Sequence, residues 1–266
     1  MTPLEAIDHH CQQLRLTSLA QLVPEALSLA QQQDWTLESF LVYLLEQEVT
    51  RRQQRRIERY LQQAQLPPGK TLDHFDPQRL PLRIRRQIPT LVQGEFIHQA
   101  ENILIFGQPG TGKTHLAAAL AFEWVQRDVP VLFSPTFKLV DALLRAKRDY
   151  ELERELKRLD RFQVVILDDI GYVQQSRQEM EVLFTFLAER YERRSVVITS
   201  NLVFSQWDQI FKDPLTTAAA IDRVVHHSRI IEFGSEMTSV RAEHAAQRQL
   251  LQPDQDTPDQ TEPKQN

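Results

Sequence analysis

The chain has 266 residues with 41% hydrophobic and 25% charged content, a formal net charge of −5 and a single cysteine, Cys11. One cysteine excludes an internal disulfide and leaves no thiolate set for zinc. No apolar run approaches ~18 residues, and Glu5 and Asp8 stand where a secretion signal would be basic, so a cytoplasmic protein with no membrane span is expected.

Residues 1–66 read as all-helical. Leu14, Leu16, Leu19, Leu22 and Leu27 suggest two short helices broken near Pro24. A clearer helix follows, capped by Asp34 or Thr36, with Leu37, Phe40, Leu41, Leu44, Leu45 and Val49 as one buried stripe. It runs on into a basic segment in which Arg52, Arg55, Arg56 and Arg59 share a face. From Arg51 to Arg86 ten basic residues face only three acidic ones. Such segregation suits a phosphate-contacting ridge, although charge runs also make ordinary solvated faces.

Pro67-Pro68-Gly69 ends the helical region. Residues 67–99 read as a linker docking on the next domain. Phe75, Leu80, Leu82 and Ile84 are candidate anchors, and Pro77, Pro81 and Pro89 argue against a long helix. From residue 100 strands and helices alternate. Strands are expected at Ile103–Phe106, Val131–Phe133, Val164–Leu167, Val196–Thr199 and Arg229–Phe233. Helices are expected at Lys113–Gln126, Thr136–Arg148, Glu151–Asp160, Gln178–Glu192 and Thr217–His226. Continuous apolar strands between helices imply a parallel sheet covered on both faces. The expected organisation is therefore a small helical domain (1–66), the linker (67–99), an α/β P-loop domain with a five-stranded parallel sheet (100–241) and a C-terminal extension (242–266). The extension is polar and Pro-rich, and disorder is expected from about residue 252.

The first strand leads into Gly107-Gln108-Pro109-Gly110-Thr111-Gly112-Lys113-Thr114 and then a helix beginning His115-Leu116. This is the phosphate-binding pattern G-x-x-x-x-G-K-[ST] in its proper strand–turn–helix context. Loop N–H groups cradle phosphates, Lys113 reaches the β- and γ-phosphates, the Thr114 hydroxyl ligates Mg²⁺, and His115 is counted with Gly107–Thr114 as a nucleotide-binding residue. At average glycine usage of about 7%, a chance match in a chain this long has odds of roughly one in a hundred. The third strand ends in Asp168-Asp169, at the sheet edge where Mg²⁺ and an attacking water are held. Asp168 fits the metal and Asp169 the water. The fourth strand ends in Thr199-Ser200-Asn201, where the Asn201 amide can orient that water. Arg223 follows in Asp222-Arg223, a position from which it could reach a neighbouring subunit's γ-phosphate.

Taken together these blocks resemble the IstB-like ATPases, AAA+ helpers of insertion-sequence transposition related to the helicase loader DnaC. The resemblance rests on Leu72–Asp76, Gly107–Leu116, Asp168–Tyr172, Glu189–Ser195, Thr199–Leu202 with Trp207, and Ala220–His227. It implies a AAA+ core that binds ATP and Mg²⁺, assembles as a homo-oligomer on double-stranded DNA and works with a cognate transposase. It implies an ATPase site completed in trans by Arg223. It also implies that the segment Phe137–Asp160 lines the DNA path, with Lys138, Arg145, Lys147 and Arg148 as candidate contacts. Two departures stand out. Asp169 occupies a position where AAA+ proteins usually have Glu, and the closing Gly-Glu-Ser-Tyr-Arg block is disrupted in Gly234–Arg241, which puts a second-sensor role for Arg241 in doubt. A helicase loader and an ATP-gated DNA scaffold with little turnover are the rival readings.

Overall fold

The computed structural model describes residues 1–172, 176–202, 206–207 and 224–234. Three helices open the chain: α1 (Pro3–Gln13), α2 (Thr17–Gln32) and α3 (Leu37–Ala64). The Thr2 and Glu5 side chains close a reciprocal cap on α1. Thr36, rather than Asp34, caps α3 by accepting the Ser39 N–H at 3.2 Å. Helix α2 has no cap from Leu16. Instead the buried Glu48 carboxylate of α3 accepts the Leu19 N–H at 2.8 Å and is paired with Arg52 at 2.6 Å.

Pro24 does not break α2. The helix runs through it, and the break lies at Leu14–Leu16, where Arg15 has φ 56°. The lost backbone hydrogen bond is offset by burial of Leu19, Leu22, Val23 and Ala26 against α3. The expected buried stripe of α3 is also corrected. Only Leu44 of that set is buried; Phe40 is partly covered, while Leu37, Leu41, Leu45 and Val49 face outward. Further along, Ile57, Tyr60, Leu61 and Ala64 pack into the core of the α/β region. A single 28-residue helix therefore spans two hydrophobic clusters.

In the connecting segment, α4 (Leu82–Gln93) forms despite Pro89. Its last turn is held by burial of Leu91, whose carbonyl accepts the Trp124 indole N–H at 2.8 Å. Leu80 and Ile84 are buried anchors and Phe75 is partly covered, but Leu82 is exposed. The short α5 (Glu95–His98) then leads to the sheet.

The sheet contains β1 (Asn102–Phe106), β2 (Val131–Pro135), β3 (Val164–Asp168), β4 (Ser195–Ser200) and β5 (Ser228–Glu232). All pairings are parallel, and the spatial order is β2-β3-β4-β1-β5. Alternation along the strands serves two faces. Ile103, Ile105, Phe133, Ile166 and Val197 pack under α4 and α6 (Lys113–Gln126). Leu104, Phe106, Leu132, Val165, Leu167 and Ile198 pack under α7 (Thr136–Arg148), α8 (Leu152–Leu159) and α9 (Arg177–Arg190). With both faces covered, each of the three middle strands is buried almost throughout. No helix among the described residues is long and apolar enough to cross a membrane.

Candidate functional site

Strand order decides the site. β4 lies between β3 and β1, so the end of β4 sits between the Asp168-Asp169 corner and the Gly107–Thr114 loop, all at the C-terminal edge of the sheet. The Gly107 N–H donates to the Ser200 carbonyl at 3.2 Å and ties the loop to that strand end. Gly107 has no room for a side chain, since a Cβ there would lie 2.6 Å from the Phe233 Cβ. Gly112 opens α6 at φ 105°, a conformation closed to other residues without strain.

Lys113 is buried, and its ammonium donates to the carbonyls of Gly107 (2.7 Å) and Gln108 (2.9 Å). The lysine is folded back onto its own loop. Thr111 closes the same turn through its hydroxyl to the Gln108 carbonyl at 2.9 Å, while Gln108 and Pro109 are exposed at the loop tip with Gly110 half-buried beside them. Thr114 is half-buried on the first turn of α6. His115 turns toward the connecting segment. Its Nε2 lies 3.0 Å from the Thr71 carbonyl and its ring meets Phe75 edge-on at 5.2 Å. It thus pins the Leu72–Asp76 segment beside the loop, with Phe75 next to Gly112.

The two aspartates share one organising group. The Thr199 hydroxyl donates to Asp168 Oδ1 at 2.7 Å and accepts the Asp169 N–H at 2.8 Å. Asp169 is in the left-handed region at φ 62°. The Thr136 hydroxyl holds the Asp168 carbonyl at 3.0 Å. Sequence reasoning treated Thr199 as a polar strand end. The available signal was a hydroxyl directly after an apolar run, as the carboxylates follow theirs. Asn201 lies against Gly171, whose missing Cβ makes space for the amide, and its Oδ1 is buried with no partner among the described residues. Beneath it, buried Trp207 donates to the Leu202 carbonyl at 3.3 Å and packs on Phe106.

A second unforeseen residue is Arg190. Its guanidinium is buried and donates to the backbone carbonyls of Leu159, Phe162, Gln163 and Ser195 at 3.0–3.2 Å. Burial pulls it down to about 9, opposed chiefly by nearby Asp160, so it remains charged near neutrality. It clamps the turns that feed β3 and β4.

The candidate polyanion contacts fall in two places. On α3, Arg52 pairs with Glu48 and donates to the Arg15 carbonyl at 2.7 Å. Arg55 donates to Thr17 at 3.2 Å, Arg56 pairs with Asp128, and Arg59 lies over Tyr60. On α7, Arg145 pairs with Asp141 and Lys147 with Glu181 (2.8 Å), whereas Lys138 and Arg148 are exposed with no ion-pair partner among the described residues. Arg223, Arg241, most of the helix expected over Thr217–His226 and the extension 242–266 lie outside the described residues.

The family model for IstB-like ATP-binding proteins matches residues 9–247. The chain belongs to that family. An insertion-sequence ATP-binding protein of Sinorhizobium fredii is 40% identical to this IstB-like chain over 241 residues, 90% of the chain and 81% of the relative. The ATP-binding protein of insertion sequence IS21 from Pseudomonas aeruginosa is 36% identical over 233 residues, 88% of each. Among solved structures, the DnaC helicase loader superposes with a TM-score of 0.54 at 20% identity, covering 62% of this chain and 97% of DnaC. Aquifex aeolicus DnaA superposes at 0.51 and 20% identity, covering 64% of this chain and 51% of DnaA. At those identities the likeness establishes the fold, which is that of a P-loop AAA+ protein.

Proposed function

We propose that this IstB-like chain is a Mg²⁺-dependent ATPase that assembles on double-stranded DNA and assists the transposase of an insertion sequence in selecting and remodelling its target. The observation that carries the reading is the adjacency, across β1, β4 and β3, of the Gly107–Thr114 loop, the Asn201 amide and the Thr199-braced pair Asp168-Asp169. The family's printed description as ATP binding and the insertion-sequence names of the relatives support it.

Lys113 presents its ammonium at the mouth of the loop and can exchange the Gly107 and Gln108 carbonyls for β- and γ-phosphate oxygens. Loop N–H groups and the N-terminus of α6 favour the same anion. The Thr114 hydroxyl and the Asp168 carboxylate form a hard oxygen donor set suited to Mg²⁺. The bound ion would neutralise phosphate charge there. Asp169, its backbone N–H anchored on the Thr199 hydroxyl, accepts the proton of the attacking water, and Asn201 orients that water. Arg223 of a neighbouring copy faces the γ-phosphate and makes the site a shared one. His115 keeps Phe75 beside Gly112 at the nucleotide's edge. Lys138 and Arg148 offer phosphate contacts to DNA, because Arg52, Arg55 and Arg56 are engaged within the chain.

The test is the ATPase rate as a function of protein concentration, with and without duplex DNA. A rate per subunit that rises steeply with concentration and with duplex, and is lost in Lys113→Ala, is the expected result. Equal turnover by a dilute monomer, or indifference to Mg²⁺–ATP, would overturn the reading. Turnover near zero with ATP-dependent assembly on DNA would favour a scaffold, which the shorter Asp169 in place of Glu makes chemically reasonable.

A further inference from the structure

Among the described residues, one group brings three metal-ligating side chains together. The ligand atoms of Glu192, His226 and His227 all lie within 4.8 Å of one another. Glu192 stands in the turn between α9 and β4, and the two histidines stand just before β5. In the order β4-β1-β5 these two segments flank the start of β1. The strands are parallel, so all three starts share the sheet edge opposite the Gly107–Thr114 loop. The five residues of β1 separate the two edges by roughly 16 Å at ~3.3 Å per residue. The trio is therefore no part of the nucleotide site.

The backbone holds the trio in place. Glu192 is in the left-handed region at φ 57°, in a turn fixed by the Arg193 and Arg194 N–H groups on the Arg190 carbonyl, each at 3.0 Å. The His227 carbonyl accepts the Asn102 N–H at 2.7 Å. The buried Asn102 side chain donates to the Val224 carbonyl at 3.1 Å and accepts the Val196 N–H at 2.9 Å. One residue thus ties the strand after the glutamate to the segment that bears the histidines. Arg193 and Arg194, which follow Glu192 in the chain, are paired with Asp160.

The spacing suits an ion between the side chains. His227 Nε2 lies 3.5 Å from Glu192 Oε1, longer than a charge-assisted hydrogen bond of ~2.7–2.9 Å. Two ligands at ~2.0–2.2 Å on a tetrahedral ion stand roughly 3.3–3.6 Å apart. The His226 and His227 rings meet edge-on with centroids 4.3 Å apart, so a second imidazole borders the same space. Imidazoles select a transition ion over Mg²⁺ or Ca²⁺, which take oxygen ligands. Two histidines and a glutamate form a donor set for zinc with one open position.

We propose that Glu192, His226 and His227 bind one Zn²⁺ ion, with water as its fourth ligand. The ion closes a clip between residues 192 and 226, enclosing the segment whose sequence includes Asn201 and Arg223. Binding requires no nucleotide and stands or falls apart from the ATPase reading.

The experiment is isothermal titration calorimetry of Zn²⁺ into the metal-stripped full chain, with excess Mg²⁺ to occupy hard oxygen sites. One equivalent is expected to bind, with a Kd on the order of micromolar. All three side chains are exposed, so His226→Ala, His227→Ala and Glu192→Gln should fold, and an unchanged metal-free melting temperature verifies it. Loss of either histidine should weaken binding by about a hundredfold, and Glu192→Gln by about tenfold. Removing the neighbouring pair on α1, by His9→Ala with His10→Ala, should leave binding unchanged. At about a hundred times Kd, Zn²⁺ should raise the melting temperature of the parent by about 5–11 °C and that of His227→Ala by under about 2 °C. A parent that takes up no Zn²⁺, uptake that survives both histidine variants, or uptake lost with His9 and His10 overturns the proposal.

Discussion

Replacing Thr199 by Val removes one oxygen and almost no volume, yet that oxygen is bonded to both aspartates. The hydroxyl donates to the Asp168 carboxylate at 2.7 Å and receives the Asp169 N–H at 2.8 Å, while Thr199 itself is 1% exposed. A hydrogen bond to a charged group contributes about 1.5–3 kcal/mol, and an orphaned buried N–H costs about 1–3 kcal/mol. The Asp168-Asp169 corner is only half-buried, so water recovers part of this and a net loss of about 2 kcal/mol is expected. For a chain of this length that lowers the melting temperature by roughly 4–8 °C. The larger effect falls on chemistry. Asp169 sits at φ 62°, a conformation that costs a non-glycine residue about 1–2 kcal/mol and is held by this bond. Once it is released, the carboxylate samples positions out of line with the water, and kcat should fall about 10–100-fold. The KM for ATP should stay within about threefold, because the loop that grips the phosphates keeps its contacts. Thr199→Ser, which retains the hydroxyl, should restore most of the rate. Steady-state ATPase assays and thermal unfolding on the three proteins decide the matter. A Val variant with parental kcat, or a Ser variant as slow as Val, would refute the reasoning.

Gly107→Ala puts a Cβ 2.6 Å from Phe233. Overpacking of this kind costs about 1–3 kcal/mol, and the loop should shift enough to weaken binding of a fluorescent ATP analogue by at least about tenfold; unchanged affinity would show that β5 yields instead. Arg190→Met removes the guanidinium donor from four backbone carbonyls, of which those of Leu159 and Gln163 keep a backbone N–H at 3.2 Å. A loss of about 3–5 kcal/mol is expected, seen as a fall of about 6–20 °C in melting temperature, with Lys restoring less than half of it. A fall under about 2 °C would mean water replaces the clamp freely. Lys138→Glu with Arg148→Glu should lower duplex affinity and reduce the slope of log K against log salt by about two; a parallel salt plot would place the DNA elsewhere.

The phosphate loop was legible because its determinants are contiguous. Three glycines, a lysine and a threonine lie within eight residues between an apolar strand and a helix, and backbone geometry there is set locally. The strands and most helix limits were legible for the same reason, and so were Asp168 and Asp169 at a strand end. Prolines misled where tertiary burial outweighed a lost hydrogen bond, as at Pro24 and Pro89. His115 followed the loop in sequence but turned toward Thr71 and Phe75, since successive residues of a helix point about 100° apart.

The sequence alone determined that a nucleotide loop, a carboxylate pair and a polar strand end exist, because each is encoded by neighbouring residues. Only the tertiary structure decided that β4 stands between β1 and β3. That order makes Thr199 the brace of both aspartates and brings Asn201 to the same edge. It likewise decided that Arg190 is a buried clamp and that Leu37, Leu41, Leu45 and Val49 face outward. Periodicity reveals that a helix has an apolar face. Which face is covered depends on what else the chain brings against it, and that is a property of long-range packing.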